Sequence, residues 1–198
     1  MENMTYIEAA EQRRQLLLSM LDEAMQREDW EKAASLIELN PDFMALGLNR
    51  VYDRLPVEYK FSIPINCYTH HGCGTAAVRK YVRRAGKLLP VERRIPAGLL
   101  ALPEIVVYRA GAEPVGSAAN RISWTTSLDV ARWFFNRARL AGEERHIYKG
   151  IIRPERVIWY TNDRQEKEIL QYRGVQQITE IDPDTLPRDH DQGRRAED

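Results

Sequence analysis

The segment ISWTTSLDVARWFF, residues 122–135, changes its pattern in the middle. Residues 122–126 are rich in β-branched and aromatic side chains, which favour a strand. The sequence SLD that follows is a helix start signal, and it predicts a helix over residues 130–140. A strand that leads directly into a helix is therefore expected near the centre of the fold.

Short apolar runs on both sides of this segment extend the prediction. They indicate strands at residues 105–108, 146–152, 156–160 and 166–172. Residues 111–120 contain Gly and Pro and predict a loop. Because these strands come after several predicted helices, the pattern favours an α+β fold over an alternating parallel sheet.

The N-terminal part of the chain is predicted to be helical. Residues 5–40 carry apolar side chains at helical spacing, with a break at Asp29, a natural N-cap, and a stop signal at Pro41. The sequence around the second helix is similar to half of a tetratricopeptide unit. A solenoid needs about three such units, and only one copy is found, so we predict a helical hairpin.

Three segments follow from these patterns. Residues 1–45 form the helical hairpin, residues 46–182 form a domain of catalytic size, and residues 183–198 are a polar tail that is expected to be disordered. Across the boundary between these two segments, residues 41–73 contain three prolines and predict irregular structure, while residues 74–86 predict a helix.

The composition excludes several classes of protein. Of 198 residues, 43% are hydrophobic and 29% are charged, which is typical of a globular protein. The 29 basic and 29 acidic residues give zero formal net charge, which argues against a protein that coats nucleic acid by bulk charge. Two cysteines, no signal peptide and no apolar segment of bilayer length predict a cytoplasmic protein without a membrane partner.

Charge is nevertheless distributed unevenly. Residues 1–40 hold nine acidic and four basic side chains, so the hairpin is an acidic lobe. The stretch from Arg79 to Arg94 holds seven cations against Glu92 alone. A solvated helix face explains this basic stretch, and a contact with RNA or single-stranded DNA is the alternative.

Three groups of polar residues in the second half carry the functional prediction. Arg109 ends a predicted strand, the sequence TTS at residues 125–127 supplies hydroxyl groups, and Glu166 and Glu168 lie two apart on a later predicted strand. Residues two apart in a strand share a face, so the two carboxylates are expected to project together. Each group alone has an ordinary structural explanation, and their order and spacing carry the information.

In this order the three groups resemble the motifs of the R-S-E class of mono-ADP-ribosyltransferases. The matching sequences are VYR at residues 107–109, WTTS at residues 124–127 and EKEIL at residues 166–170, and the first hydroxyl position is Thr where the class has Ser. Residues 122–135 and the sequence RQEKE at residues 164–168 look especially like small bacterial and phage-borne members. The resemblance spans roughly residues 100–175 and implies a split β-sandwich that binds NAD.

The resemblance also implies a role for each matching residue. Glu168 would stabilise an oxocarbenium-like transition state, and the hydroxyl of Thr125 would orient that carboxylate. Glu166 would orient or deprotonate the acceptor. Arg109 would hold a phosphate of NAD. The remaining expected cofactor contacts are Thr126, Ser127 and an aromatic ring, with Trp124, Phe134 and Phe135 as candidates.

No Gly-rich dinucleotide motif is present, so NAD would not be bound by a Rossmann domain. Cys67, His70, His71 and Cys73 form a cluster whose spacing matches no familiar zinc module, and we predict no metal site.

The leading hypothesis is a mono-ADP-ribosyltransferase that acts on a protein arginine or on a nucleic-acid base. By resemblance it would be a toxin of a toxin–antitoxin or phage-defence system, with an antitoxin protein as a further partner. The alternatives are an NAD glycohydrolase, with water as the acceptor, and a non-catalytic binding module that uses the helical hairpin.

Overall fold

The computed structural model describes residues 6–71 and 76–182, so the predicted tail at residues 183–198 lies outside the described residues. The chain divides into two compact units with a boundary between Pro90 and Val91. The sequence instead placed a boundary at residue 45. The difference arises because residues 46–90 form further helices that pack with the N-terminal hairpin.

The first unit is built of helices. They are α1 (Tyr6–Gln26), α2 (Trp30–Glu38), α3 (Met44–Val51), α4 (Val57–His71) and α5 (Ala76–Ala85). The two helices predicted within residues 5–40 and the helix predicted at residues 74–86 are confirmed. Asp29 is the N-cap of α2, and its side chain accepts a hydrogen bond from the backbone N–H of Lys32 at 3.1 Å.

The prediction of irregular structure at residues 41–73 is wrong for most of its described part, residues 41–71, which contains α3 and α4. The carbonyl group of Pro56 accepts the N–H of Lys60 at 2.9 Å and opens α4. Pro64 lies inside α4, between the fully buried Ile63 and the buried Ile65. Pro64 cannot donate the hydrogen bond of an ordinary helix residue, and α4 continues through it with both neighbours buried.

The second unit combines short helices with strands, which confirms the predicted α+β class. Its helices are α6 (Ala97–Leu100), α7 (Val115–Ala118) and α8 (Leu128–Leu140). Its strands are β1 (Ile105–Gly111), β2 (Ser123–Thr125), β3 (His146–Ile152), β4 (Val157–Thr161), β5 (Glu168–Gln171) and β6 (Gln176–Ile181).

All described strand pairs are antiparallel, and they form one sheet in the order β4-β5-β2-β1-β3-β6. β1 pairs with β3 along its whole length, from Ile105↔Ile152 to Gly111↔His146. By contrast, β1 and β2 share the single register pair Tyr108↔Thr125. The strands that carry Arg109, Thr125 and Glu168 are therefore neighbours in the sheet.

Two strand predictions differ from the structure. β5 begins at Glu168, so Glu166 lies in the preceding turn and the two-residue strand spacing does not relate the two carboxylates. β6 was not predicted, because its sequence QQITEI is mostly polar and its side chains are mostly exposed or half-buried at the sheet edge.

The core of the second unit lies on the sheet. Trp124, Tyr148 and Ile169 are among its buried members, with Val107 and Ile152 from the adjoining strands. Beyond the sheet ladder, the buried Gln171 fixes the chain that enters β2. Its side-chain N–H donates to the carbonyl of Arg121, and its Oε1 accepts the N–H of Gly174 at 2.6 Å.

We predict that Gly150→Ala lowers the free energy of unfolding by about 1 to 3 kcal/mol, the usual range for overpacking. An added Cβ at Gly150 would lie 2.4 Å from Cγ1 of the buried Val175 and 3.1 Å from the backbone oxygen of Gln176. Urea unfolding measures the change. Gly98→Ala in α6 is the control, because nothing lies within 4 Å of its added Cβ. Equal stability of the two variants would contradict the prediction.

Candidate active site

A cavity of about 160 Å³ in the second unit brings together the predicted polar residues of three strands and a turn. Its walls are formed by Tyr108, Arg109, Ala110, Ser123, Trp124, Thr125, Val130, Ala131, Phe134, Arg145, Glu166 and Glu168. Arg109, Thr125, Glu166 and Glu168 thus share one pocket although they are distant in the sequence. Ligand pockets usually measure about 300 Å³ or more, so the cavity would enclose only one part of a larger ligand.

Glu168, at the start of β5, is a buried carboxylate with only 6% of its surface exposed. Its Oε1 accepts a hydrogen bond from the hydroxyl of Ser123 at 2.6 Å. Its Oε2 is buried and has no hydrogen-bond partner within the described residues, and the guanidinium group of Arg164 lies 3.8 Å away. A buried oxygen in this state is able to accept a hydrogen bond from a bound hydroxyl group.

Burial raises the pKa of the Glu168 carboxyl above its ordinary value of 4.5, and the nearby charge of Glu166 acts in the same direction. The hydrogen bond from Ser123 and the positive charges of Arg164 and Arg109 lower the pKa without outweighing burial. A buried carboxyl with a perturbed pKa in a pocket is a frequent property of functional sites.

The structure corrects the predicted role of Thr125. Its hydroxyl donates to the backbone oxygen of Glu166 at 2.7 Å and accepts the N–H of Ser127 at 3.0 Å. Thr125 therefore holds the turn before β5, and Ser123 is the hydroxyl that contacts the Glu168 side chain. The two hydroxyl residues are two apart on β2, so they share a face of the strand.

Arg109 lines the cavity, but two of its nitrogens have partners within the protein. Nε donates to Oε1 of Glu113 at 2.8 Å, and Nη1 donates to the backbone oxygen of Ser123 at 2.7 Å. Arg121 contributes a second cation to Glu113 at 3.4 Å. The guanidinium group is thus fixed in orientation, and Nη2 is the nitrogen that these two bonds do not use.

Glu113 is the second buried carboxylate near the cavity, with 8% of its surface exposed. Burial acts to raise its pKa, but the hydrogen bond and charge of Arg109 and the charge of Arg121 hold the pKa below the ordinary value. Gly111 makes this pairing sterically feasible, because an added Cβ there would lie 2.6 Å from the Glu113 carboxylate. Glu113 is therefore an ionised structural partner of Arg109.

The turn between β4 and β5 holds Glu166 in place through two residues with left-handed backbone geometry. Gln165 has φ of 56° and Lys167 has φ of 45°. Asn162 accepts the N–H of Gln165 at 2.9 Å and that of Lys167 at 3.1 Å. Arg164 donates to Oε2 of Glu166 at 3.0 Å.

The predicted cofactor contacts are only partly brought together. Trp124 has 2% of its surface exposed, belongs to the core, and donates its indole N–H to Arg121. Phe134 lines the cavity. Thr126, Ser127 and Phe135 are not among the described lining residues. Of the three candidate rings, Phe134 is therefore the one best placed to face a ligand.

Sequence analysis missed two polar residues that line the cavity, Ser123 and Arg145, and it missed Glu113, the partner of Arg109. Arg145 pairs with Glu143 at 2.9 Å, and its buried Nε has no hydrogen-bond partner within the described chain. Ser123 could have been predicted to lie in the site, because it is two residues before Thr125 and shares its face of the strand. The pairing of Arg109 with Glu113 could not have been predicted in this way, because it depends on the path of the chain after β1.

The predicted basic stretch is divided between the two units. Arg84, in the first unit, pairs with Asp53 and lies 4.4 Å from the centre of the Tyr52 ring. Arg94, in the second unit, donates to the backbone oxygen of Val157. These two cations therefore have structural partners of their own.

Within residues 6–71 and 76–182, none of the helices has the length and apolar character needed to cross a bilayer. The same ranges contain no group of three His, Cys, Asp or Glu side chains arranged to hold a metal ion. Of the Cys and His cluster considered above, Cys67 is buried and Cys73 lies outside the described residues.

Comparison of the chain with models of protein families, with curated proteins and with solved structures finds no match. The resemblance drawn from the motifs therefore stays a prediction.

We predict that Glu168→Gln raises the melting temperature more at neutral pH than near pH 4. The folded-state pKa of Glu168 lies above its ordinary value of 4.5. The favourable contribution of its protonated form is therefore complete below that value and is lost as the pH rises through the folded-state pKa. The glutamine side chain has the same shape and no charge at any pH, so the variant does not lose this stability as the pH rises.

Thermal unfolding over a pH series measures the difference between the variant and the parent protein. Glu155→Gln is the control, because Glu155 is exposed. If the difference in melting temperature between Glu168→Gln and the parent protein is constant with pH, or largest in acid, burial does not raise the pKa of Glu168.

Proposed function

We propose that the protein is a mono-ADP-ribosyltransferase that transfers ADP-ribose from NAD to a macromolecule. The observation that carries the proposal is the buried Glu168 carboxylate. One oxygen is held by Ser123, and the other is buried in the cavity wall without a hydrogen-bond partner among the described residues. The motif resemblance led to the same residue independently of this geometry.

Cleavage of the bond between nicotinamide and ribose places positive charge on the sugar in the transition state. A fixed carboxylate beside the sugar stabilises that charge most effectively where water is excluded. The Glu168 carboxylate meets both conditions, because it is buried and hydrogen-bonded through Oε1. Its Oε2 would accept a hydrogen bond from a ribose hydroxyl group.

The rest of the cavity supports binding of one end of the dinucleotide. Phe134 offers an aromatic surface for the nicotinamide ring. Arg109 offers Nη2, since its other two donors are engaged, and Arg145 adds a second cation. In a cavity of about 160 Å³, the adenosine end would remain outside.

The sheet supports the finer proposal of a split β-sandwich. It divides into the triplets β4-β5-β2 and β1-β3-β6, and within the described residues the two triplets share a single register pair, Tyr108↔Thr125. With so little pairing at this junction, the two triplets are able to diverge as two sheets do. Arg109 and Glu168 lie on opposite sides of the junction.

Glu166, on the turn before β5, is the proposed acceptor-side residue. It would orient or deprotonate the incoming nucleophile. A protein arginine and a nucleic-acid base both remain in the proposal as acceptors. By resemblance to small bacterial and phage-borne enzymes, the protein would be a cytoplasmic toxin of a toxin–antitoxin or phage-defence system, with an antitoxin as its partner.

The central test is incubation of the protein with labelled NAD and a cell lysate. We expect label in a macromolecular fraction, and we expect Glu168→Gln to abolish it while the variant remains folded. Sensitivity of the label to protease identifies a protein acceptor, and sensitivity to nuclease identifies a nucleic acid. Release of free ADP-ribose alone would support an NAD glycohydrolase, and no loss of NAD would reject enzymatic use of this site.

A matched pair of variants tests which hydroxyl orients Glu168. A hydrogen bond to a charged group is worth about 1.5 to 3 kcal/mol, so Ser123→Ala should slow NAD cleavage roughly tenfold to hundredfold. It should also move the acidic limb of the pH–rate profile to higher pH, because the Ser123 hydrogen bond lowers the Glu168 pKa.

Thr125→Ala should leave the acidic limb of the pH–rate profile unchanged. It should reduce transfer more than NAD cleavage, because Thr125 contacts the backbone of Glu166. If the acidic limb shifts in Thr125→Ala and not in Ser123→Ala, Thr125 and not Ser123 is the hydroxyl that orients Glu168.

A further inference from the structure

Arg164 places a guanidinium group beside both carboxylates of the site. Its Nη2 lies 3.0 Å from Oε2 of Glu166 and 3.8 Å from Oε2 of Glu168. The side chain is 49% exposed, so it is not held by burial. Among the described residues, no other cation is recorded in an ion pair with both carboxylates.

The turn keeps Arg164 close to the site. The N–H of Asp163 donates to the hydroxyl of Thr161 at 3.2 Å, and Asn162 ties the backbone on both sides of Glu166. The end of the turn is joined to β2, because the N–H of Thr126 donates to the oxygen of Lys167 at 3.0 Å. Arg164 therefore needs only rotation of its side chain to change its position.

A guanidinium group is a poor nucleophile until it loses a proton, since its charge is delocalised and it holds its proton strongly. A carboxylate in direct contact is required to take that proton as the new bond forms. Glu166 makes this contact with Arg164. Proximity within one chain also replaces an encounter with an external acceptor.

We propose that Arg164 is itself an acceptor, and that the protein ADP-ribosylates this side chain within the same chain. This inference rests on the proposed transferase function. It goes beyond that function because it assigns a modification site to the protein itself.

The bond between the nicotinamide nitrogen and the ribose anomeric carbon breaks, and nicotinamide leaves with the electron pair as a neutral molecule. A terminal nitrogen of Arg164 forms the new bond to that carbon. The proton released by the guanidinium group passes to Glu166 and then to water. The step consumes one NAD and needs no oxidant or reductant.

Other arginines near the cavity lack this arrangement. The Nε and Nη1 donors of Arg109 are engaged by Glu113 and Ser123. Arg145 pairs with Glu143. Arg164, on the turn before β5, is therefore the arginine whose guanidinium group is positioned to accept ADP-ribose.

The test incubates the full-length protein with NAD alone and follows nicotinamide release together with intact mass. We expect the mass of one ADP-ribose unit on the peptide that contains Arg164, and a first-order rate that does not change on dilution. Arg164→Lys keeps the positive charge but removes the guanidinium acceptor, so it should lose this modification. Arg153→Lys, at an exposed position between β3 and β4, should keep it.

The possible outcomes distinguish failure of the Arg164 assignment from failure of the proposed transferase function. Nicotinamide release without modification, or modification at other residues only, would overturn the assignment of Arg164 and leave NAD cleavage intact. Modification of Arg164 on added Glu168→Gln chains would overturn transfer within one chain. No nicotinamide release, with or without added agmatine as a guanidinium acceptor, would overturn the proposed function and this inference together.

Discussion

Ser123 connects two ionisable side chains of the cavity wall, Glu168 and Arg109. Its hydroxyl group donates to Glu168, which is 45 residues away in the sequence, and its carbonyl group accepts from Arg109, which is 14 residues away. Both bonds depend on the position of β2 between β5 and β1. The site is therefore a product of strand order: any change that shifts the pairing of this three-residue strand displaces the carboxylate and the guanidinium group together.

Two buried carboxylates in the second unit have opposite electrostatic states. Glu113 contacts two arginines, and their charges and hydrogen bonds hold its pKa below the ordinary value against the effect of burial. Glu168 has one hydrogen bond from a hydroxyl group and a cation no closer than 3.8 Å, so burial dominates and its pKa is raised. The second unit thus holds one carboxylate in an ion pair and one with a raised pKa, and the number and distance of their cationic partners account for the difference.

Sequence patterns predicted the parts of the fold that depend on local periodicity. The strand at residues 146–152 was predicted at its full extent, and the N-cap at Asp29 followed from residue type alone. The pattern could not predict α4 around Pro64 or the polar edge strand β6, because packing in the first case and backbone pairing in the second stabilise them. At the candidate site, motif matching predicted Arg109, Glu166 and Glu168, which share a cavity with Thr125, but it also predicted Thr126, Ser127 and Phe135, which do not line that cavity. The partner of Glu168 was misassigned, because the sequence does not specify which of two hydroxyl groups on one strand face reaches across to the next strand.

The left-handed geometry of Gln165 and Lys167 limits how this turn is able to diversify over evolutionary time. Such geometry is most costly for β-branched side chains and costs nothing for glycine. Valine, isoleucine and threonine are thereby disfavoured at both positions, whereas Glu166 between them has no such restriction. Natural variants would therefore keep Gln165 and Lys167 within a narrow set of residue types, and the backbone that presents Glu166 would change little.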